Sequence, residues 1–125
     1  MKKRILFIED EVKFQTAFTD FFRSEELEIV SAYDGESGLA LAESKSPDLI
    51  LLDLILPRKD GFKVLEELKA NPRLAKIPVI VLTNLESSKD VQRAISMGAL
   101  AYLVKANYSL PEILNRIKET LKNYS

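Results

Sequence analysis

Four short apolar runs divide this chain: Ile5-Leu6-Phe7-Ile8, Leu49-Ile50-Leu51-Leu52, Val79-Ile80-Val81-Leu82 and Ala101-Tyr102-Leu103-Val104. Each is continuous rather than alternating. A strand wetted on one face alternates apolar and polar residues, whereas a strand covered on both faces is apolar at every position. Runs of this kind predict a sheet enclosed between helices. A fifth and more polar segment, residues 28–32, reads as an edge strand.

Between the runs the period changes to a helical one. Residues 12–24 carry Val12, Phe14, Ala17, Phe18, Phe21 and Phe22 as an apolar stripe. Asp34 is placed to cap a helix over 35–43. Gly61–Ala70 reads as a helix closed by Asn71-Pro72. Ser87 or Ser88 opens a helix ending at Met97-Gly98, with Gly98 just past the last turn. Ser109-Leu110-Pro111-Glu112 is a capping box with an early proline, which opens a last helix to about residue 123. Strand followed by helix, five times over, implies a doubly wound α/β architecture. Its five-stranded parallel sheet has right-handed crossovers and helices on both faces. No linker or repeat interrupts the 125 residues, so one domain over 1–125 is expected.

Composition serves mainly to exclude. With 18 basic and 19 acidic residues the net charge is −1, without the basic excess of a nucleic-acid binder. The absence of cysteine removes disulfides, thiolate nucleophiles and thiolate metal sites. The absence of histidine removes the commonest general base and transition-metal ligand. A metal here must be held by oxygen, which favours Mg²⁺, Mn²⁺ or Ca²⁺. The longest apolar stretch is broken by Asp53, so no membrane span is expected. The apolar run after Met1-Lys2-Lys3-Arg4 is too short for a signal peptide, and a cytoplasmic location is expected.

The chemistry lies just past the strand ends: Glu9-Asp10-Glu11 after the first, Asp53 after the third, Thr83 after the fourth and Lys105 after the fifth. In a parallel α/β sheet these strand ends share one rim, where ligands bind. Carboxylates gathered there repel unless a cation sits among them. Oxygen ligands without histidine point to Mg²⁺. A carboxylate can attack phosphorus as a nucleophile, and the arriving phosphoryl group then needs the charge of Mg²⁺ and an ammonium. Each residue also has a plainer reading. Asp53 can be a turn residue, Glu9-Asp10-Glu11 a helix cap, Thr83 a strand-end hydroxyl and Lys105 a solvated loop cation; capping alone is expected of Glu11.

The four motifs in order resemble the receiver domain of bacterial response regulators, the phospho-accepting half of two-component signalling. The carriers are Ile5-Leu6-Phe7-Ile8-Glu9-Asp10-Glu11, Pro47-Asp48-Leu49-Ile50-Leu51-Leu52-Asp53 running on to Gly61, Pro78-Val79-Ile80-Val81-Leu82-Thr83, and Gly98-Ala99-Leu100-Ala101-Tyr102-Leu103-Val104-Lys105. The resemblance implies a flavodoxin-like fold with strand order 2-1-3-4-5. It implies phosphorylation of Asp53 and an acidic pair, Glu9 and Asp10, with Asp10 the direct Mg²⁺ ligand. The backbone carbonyl of Ile55 is implied as a third protein ligand beside Asp10 and Asp53. Thr83 and Lys105 are implied to hold the phosphoryl oxygens, and Tyr102 to be the aromatic switch. The implied donor is a histidine kinase or phosphotransfer protein. The implied output is a changed affinity of the face formed by the fourth helix, fifth strand and fifth helix for a downstream protein. The unit is expected to be a monomer or a phosphorylation-dependent dimer, without direct contact to nucleic acid.

Four departures from the family pattern matter. Ala106 follows Lys105 where the family has proline, so a trans bond or a rearranged loop is expected there. The acidic pair begins with Glu9, which implies a metal contact through water. Leu100-Ala101 stand where regulators with winged-helix DNA-binding domains carry acidic residues of a dimer interface. Ile55 and Leu85, two residues after Asp53 and Thr83, are apolar where the family tunes hydrolysis, which implies a long-lived phosphorylated state.

Three other functions compete. A dehalogenase-type Mg²⁺-dependent phosphatase needs a second Asp two residues after its nucleophile, where Ile55 stands. A flavodoxin-like FMN protein needs a Ser-, Thr- or Gly-rich phosphate loop where Glu9-Asp10-Glu11 stand. A degenerate receiver acting only as a binding module needs none of Asp53, Thr83 and Lys105.

Overall fold

Ile8, Leu52 and Val81 stand side by side on three neighbouring parallel strands, and all three are fully buried. They lie in a computed structural model that describes residues 2–124. In chain order the elements are β1 (Lys3–Ile8), α1 (Val12–Phe22), β2 (Leu27–Ala32), α2 (Gly35–Lys45), β3 (Leu49–Leu52), α3 (Gly61–Ala70), β4 (Val79–Thr83), α4 (Ser88–Ser96), β5 (Ala101–Val104) and α5 (Leu110–Tyr124). A single 3₁₀ turn, Lys105–Asn107, separates β5 from α5. The five described strands are parallel, in the order β2-β1-β3-β4-β5.

Successive strand side chains point to opposite faces, so each continuous apolar run feeds two cores. Leu6, Ile8, Ile50, Leu52, Val79 and Val81 face α2, α3 and α4, where they meet Ala42, Leu65, Leu68 and Ala94. Ile5, Phe7, Leu49, Leu51, Ile80 and Leu82 face α1 and α5, where they meet Phe18, Phe22, Ile113 and Ile117. Phe18 stacks on Phe22 with ring centroids 4.1 Å apart, and Phe7 lies 4.4 Å from Phe18. The polar strand β2 is at an edge, as its composition requires. No described helix is long and apolar enough to cross a membrane.

The caps follow the sequence closely. Asp34 accepts from Ser37 N–H, Asp60 from Phe62 and Lys63 N–H, and Ser87 from Asp90 N–H. Ser109 and Glu112 bond reciprocally as a capping box. Gly98, at φ +110°, closes the turn after α4. Element ends shift by a residue or two. β1 starts at Lys3 because Lys3 and Arg4 pair with Leu27 and Glu28, which also lengthens β2. α1 stops at Phe22, two residues short of the expected end, and α2 runs two further, to Lys45, where Ser46 (φ 47°) turns the chain. The expected capping by Glu11 is corrected: Glu11 occupies the N-cap position of α1, but its side chain makes no capping bond. The described residues contain no cis peptide, so Lys105–Ala106 is trans and opens the 3₁₀ turn.

Candidate active site

β3 ends one residue before Asp53, whose N–H continues the ladder by donating to Ile8 O at 3.0 Å. That pairing holds the backbone of Asp53 at the rim while its side chain, in a residue 4% exposed, points among groups from the neighbouring strand ends. Oδ1 accepts from Thr83 Oγ1 at 2.7 Å and from Ile55 N–H at 3.1 Å. Oδ2 accepts from Lys105 Nζ at 3.1 Å. Behind the carboxylate, Gly61 approaches the backbone of Asp53 and Leu54 so closely that a Cβ there would collide with it.

Glu9 is fully buried. Its Oε2 accepts from Glu11 N–H at 2.9 Å, and its Oε1 faces the ammonium of Lys105, with no other donor within reach. Burial pushes the Glu9 carboxyl up to about 7. The hydrogen bonds from Lys105 and Glu11 oppose that rise, and the charge of Asp53 adds to it. For Lys105, burial acts to lower the pKa. The hydrogen bond to Glu9 and the charges of Asp53 and Glu9 outweigh burial, so the ammonium is held above its usual range. The same Nζ lies 5.0 Å from the centre of the Phe14 ring, an additional cation–π contact.

Asp10, next in the chain, is exposed. Carboxylate oxygens of Glu9, Asp10 and Asp53 all lie within 4.8 Å of one another. Three acidic groups that close, with one ammonium among them, form a donor set suited to a hard divalent cation. Ile55, whose carbonyl is the implied further ligand, stands two residues after Asp53 and is 54% exposed.

Thr83 is fully buried at the end of β4. The N–H of half-buried Leu85 lies 3.5 Å from its Oγ1. Tyr102, on β5 beside Val81, is also half-buried, with its ring against the core beneath α3 and α4. Its hydroxyl donates to Leu85 O at 2.8 Å. All the predicted site residues thus converge on one rim, apart from Tyr102, which reaches it only through the loop after β4.

Sequence reasoning missed Gln15. It is buried under the first turns of α1, and its Nε2 donates to the carbonyls of Phe7, Glu9 and Ala32 at 3.0, 3.2 and 3.1 Å. A signal was available. Gln15 precedes Phe18 and Phe22 by three and seven residues, placing a polar residue on the apolar face of the helix.

The family model described as "Response regulator receiver domain" matches residues 5–118. The chain is 40% identical over 119 residues to the transcriptional regulatory protein CiaR of Streptococcus pneumoniae, covering 95% of this chain and 51% of that protein. The chain spans about half the length of the curated relatives it matches. A crystal structure of a CheY-like response regulator receiver domain protein from Methanospirillum hungatei superposes with a TM-score of 0.90 at 28% identity, over 99% of this chain and 97% of that one. The Mn²⁺-bound form of the response regulator Rcp1 superposes at 0.78 with 31% identity, over 97% and 90%.

Proposed function

Because the chain belongs to the response regulator receiver family, we propose that its 125 residues act as one phospho-accepting switch, with Asp53 as the acceptor. The observation that carries this reading is the convergence on one buried carboxylate of a hydroxyl, an ammonium and two further carboxylates from three other strand ends. A turn residue has no use for such an arrangement.

The donor is a phosphohistidine on a partner histidine kinase or phosphotransfer protein, since this chain has no histidine. An oxygen of Asp53 attacks phosphorus, the phosphorus–nitrogen bond breaks, and the imidazole leaves with its electron pair and takes up a proton. Asp10 and Asp53, with the Ile55 backbone carbonyl, would hold Mg²⁺. Glu9 would support the metal through water, its own oxygens being engaged by Lys105 and the Glu11 amide. Mg²⁺, when bound, would supply positive charge against the transferring phosphoryl oxygens. Lys105 and Thr83 turn from the carboxylate of Asp53 to those oxygens. Tyr102 then rearranges with the loop between Thr83 and Leu85, and the face of α4, β5 and α5 changes its affinity for a protein target. A few kcal/mol of differential binding suffices for such a switch. The chain acts in the cytoplasm without turning over a substrate, beyond self-phosphorylation and autodephosphorylation. It works as a monomer or a phosphorylation-dependent dimer.

The deciding experiment is intact mass spectrometry after incubation with acetyl phosphate and Mg²⁺. Wild type gains one phosphoryl group and Asp53→Asn gains none. An unmodified wild type, or an equal adduct on the variant, overturns the reading.

A further inference from the structure

Gln15 has no place in the chemistry above, yet it is tied to the backbone of Glu9, one of the residues of the site. Its three neighbours, Phe7 O, Glu9 O and Ala32 O, are all carbonyl oxygens, so only the amino end of the side chain can face them. Two N–H groups are shared among three acceptors. The other end, Oε1, is buried without a donor. An apolar side chain would fill this space without a buried carbonyl to satisfy, so the use of a glutamine here lies in what its amino end holds.

The bond to Glu9 O matters most. Glu9 lies one residue past β1, where its N–H still pairs with Ala32 O at 2.9 Å while the chain turns toward α1. The Glu9 carbonyl belongs to the same rigid peptide plane as the Asp10 nitrogen. Holding that carbonyl therefore sets the direction in which the chain leaves Glu9 and the angle at which Asp10 starts. Glu9 has its own anchors in Lys105 and the Glu11 amide. Asp10 is exposed, and its carboxylate takes no hydrogen bond or ion pair from the described residues, so no side-chain partner holds it and the backbone alone sets where its Cα–Cβ bond starts relative to Asp53.

We propose that Gln15 is a positioning residue for the metal site: by pinning the Glu9 carbonyl from beneath, it directs the carboxylate of Asp10 toward that of Asp53. The inference rests on the reading of Asp10 and Asp53 as metal ligands. Groups that orient metal ligands without touching the metal typically change its affinity by about tenfold or more when removed.

The test measures Mn²⁺ affinity, from loss of the free-ion EPR signal, alongside the urea midpoint. The proteins are wild type, Gln15→Met, which keeps the length but has no donor, Gln15→Lys, which restores donors, and Leu121→Ala, a core truncation in the last turns of α5. Gln15→Met should bind Mn²⁺ about tenfold more weakly, Gln15→Lys should recover most of that loss, and Leu121→Ala should bind as wild type does despite its lower midpoint. Unchanged affinity in Gln15→Met, or an equal loss in Leu121→Ala, overturns the proposal while leaving the metal site intact. A wild type that does not bind Mn²⁺ overturns the metal reading and this proposal together. Should Gln15→Met fail to fold, NMR of the wild type decides. The Gln15 side-chain amide protons should be protected from exchange and shift on saturation with Mg²⁺; fast exchange with no response overturns the proposal.

Discussion

Thr83 Oγ1 donates a 2.7 Å hydrogen bond to Asp53 Oδ1 across the boundary between β3 and β4, and both residues are buried. The same hydroxyl begins a path outward. Leu85 N–H lies 3.5 Å from it, and Leu85 O accepts from the Tyr102 hydroxyl at 2.8 Å. A change at Asp53 that draws Thr83 away therefore acts on the loop that holds Tyr102. Thr83→Val keeps the shape and removes the donor, at a stability cost of about 1 kcal/mol. Asp53 should still accept phosphoryl from acetyl phosphate, but the NMR signals of the Tyr102 ring, expected to shift on phosphorylation in wild type, should stay in place. A full Tyr102 response in the variant would place the switch elsewhere.

The raised carboxyl of Glu9 makes the metal-free protein sensitive to pH. Its pKa is about 7 in the fold against 4.5 in the unfolded chain, so between these values the folded state holds a proton that the unfolded state has released. The associated stability is complete below pH 4.5 and is lost as pH rises through 7, by about 3 kcal/mol in all. Urea midpoints in EDTA at pH 5 and pH 7.5 should fall further for wild type than for Glu9→Gln, and Mg²⁺ at pH 7.5 should close much of the gap. Lys105 contributes in the same sense but outside this window, because its ammonium is held above its usual range and titrates only at alkaline pH. Parallel pH dependence in the two proteins would contradict the assignment.

Ile55 and Leu85 stand two residues after Asp53 and Thr83 in the loops beyond β3 and β4, Ile55 being 54% exposed and Leu85 packed in part against the core. Neither can hydrogen-bond a water molecule for attack on an acyl phosphate. Phosphorylated wild type, freed of acetyl phosphate and kept in Mg²⁺, should lose its adduct slowly. Ile55→Asn, which offers a polar group two residues from Asp53, should lose it several-fold faster. The decay of the adduct mass over time is the measurement, and a wild type that empties as fast as the variant would refute the role of these positions.

Gly61 stands at the start of α3 against the backbone of Asp53 and Leu54. Backbone cannot swing aside as a flexible side chain can. Gly61→Ala should therefore cost about 1–3 kcal/mol and, by displacing the segment that carries Asp53, weaken Mg²⁺ binding as well. A substitution that leaves both the urea midpoint and Mg²⁺ affinity unchanged would show that the loop gives way freely.

Much of this architecture is legible in the chain itself. Leu49 to Leu52 announce a strand covered on both faces because an apolar residue at every position has no other soluble use. Asp34, Ser87 and the Ser109–Glu112 box mark helix starts because caps are local hydrogen bonds between near neighbours in the chain. Asp53, Asp10, Thr83 and Lys105 can be placed on one rim because in a parallel sheet every strand end points the same way. Helix ends are less legible: α1 stops where Arg23 N–H turns back to Asp20 O, and α2 runs on to Lys45 until Ser46 takes a left-handed conformation that a serine does not advertise.

Sequence alone thus determined the alternation, the covered sheet and the residues at its rim, all of which depend on periodicity and chain order. The division of labour within that rim was decided by tertiary structure. Glu9 and Asp10 are neighbours with similar carboxylates, yet one is buried against Lys105 with its pKa raised and the other is exposed. Gln15 reads as one polar residue in a helix until carbonyls from β1, from the residue just past it and from β2 close around its amide. Burial and hydrogen-bond partners are properties of groups brought together from distant parts of the chain, and they exist only once the fold has assembled them.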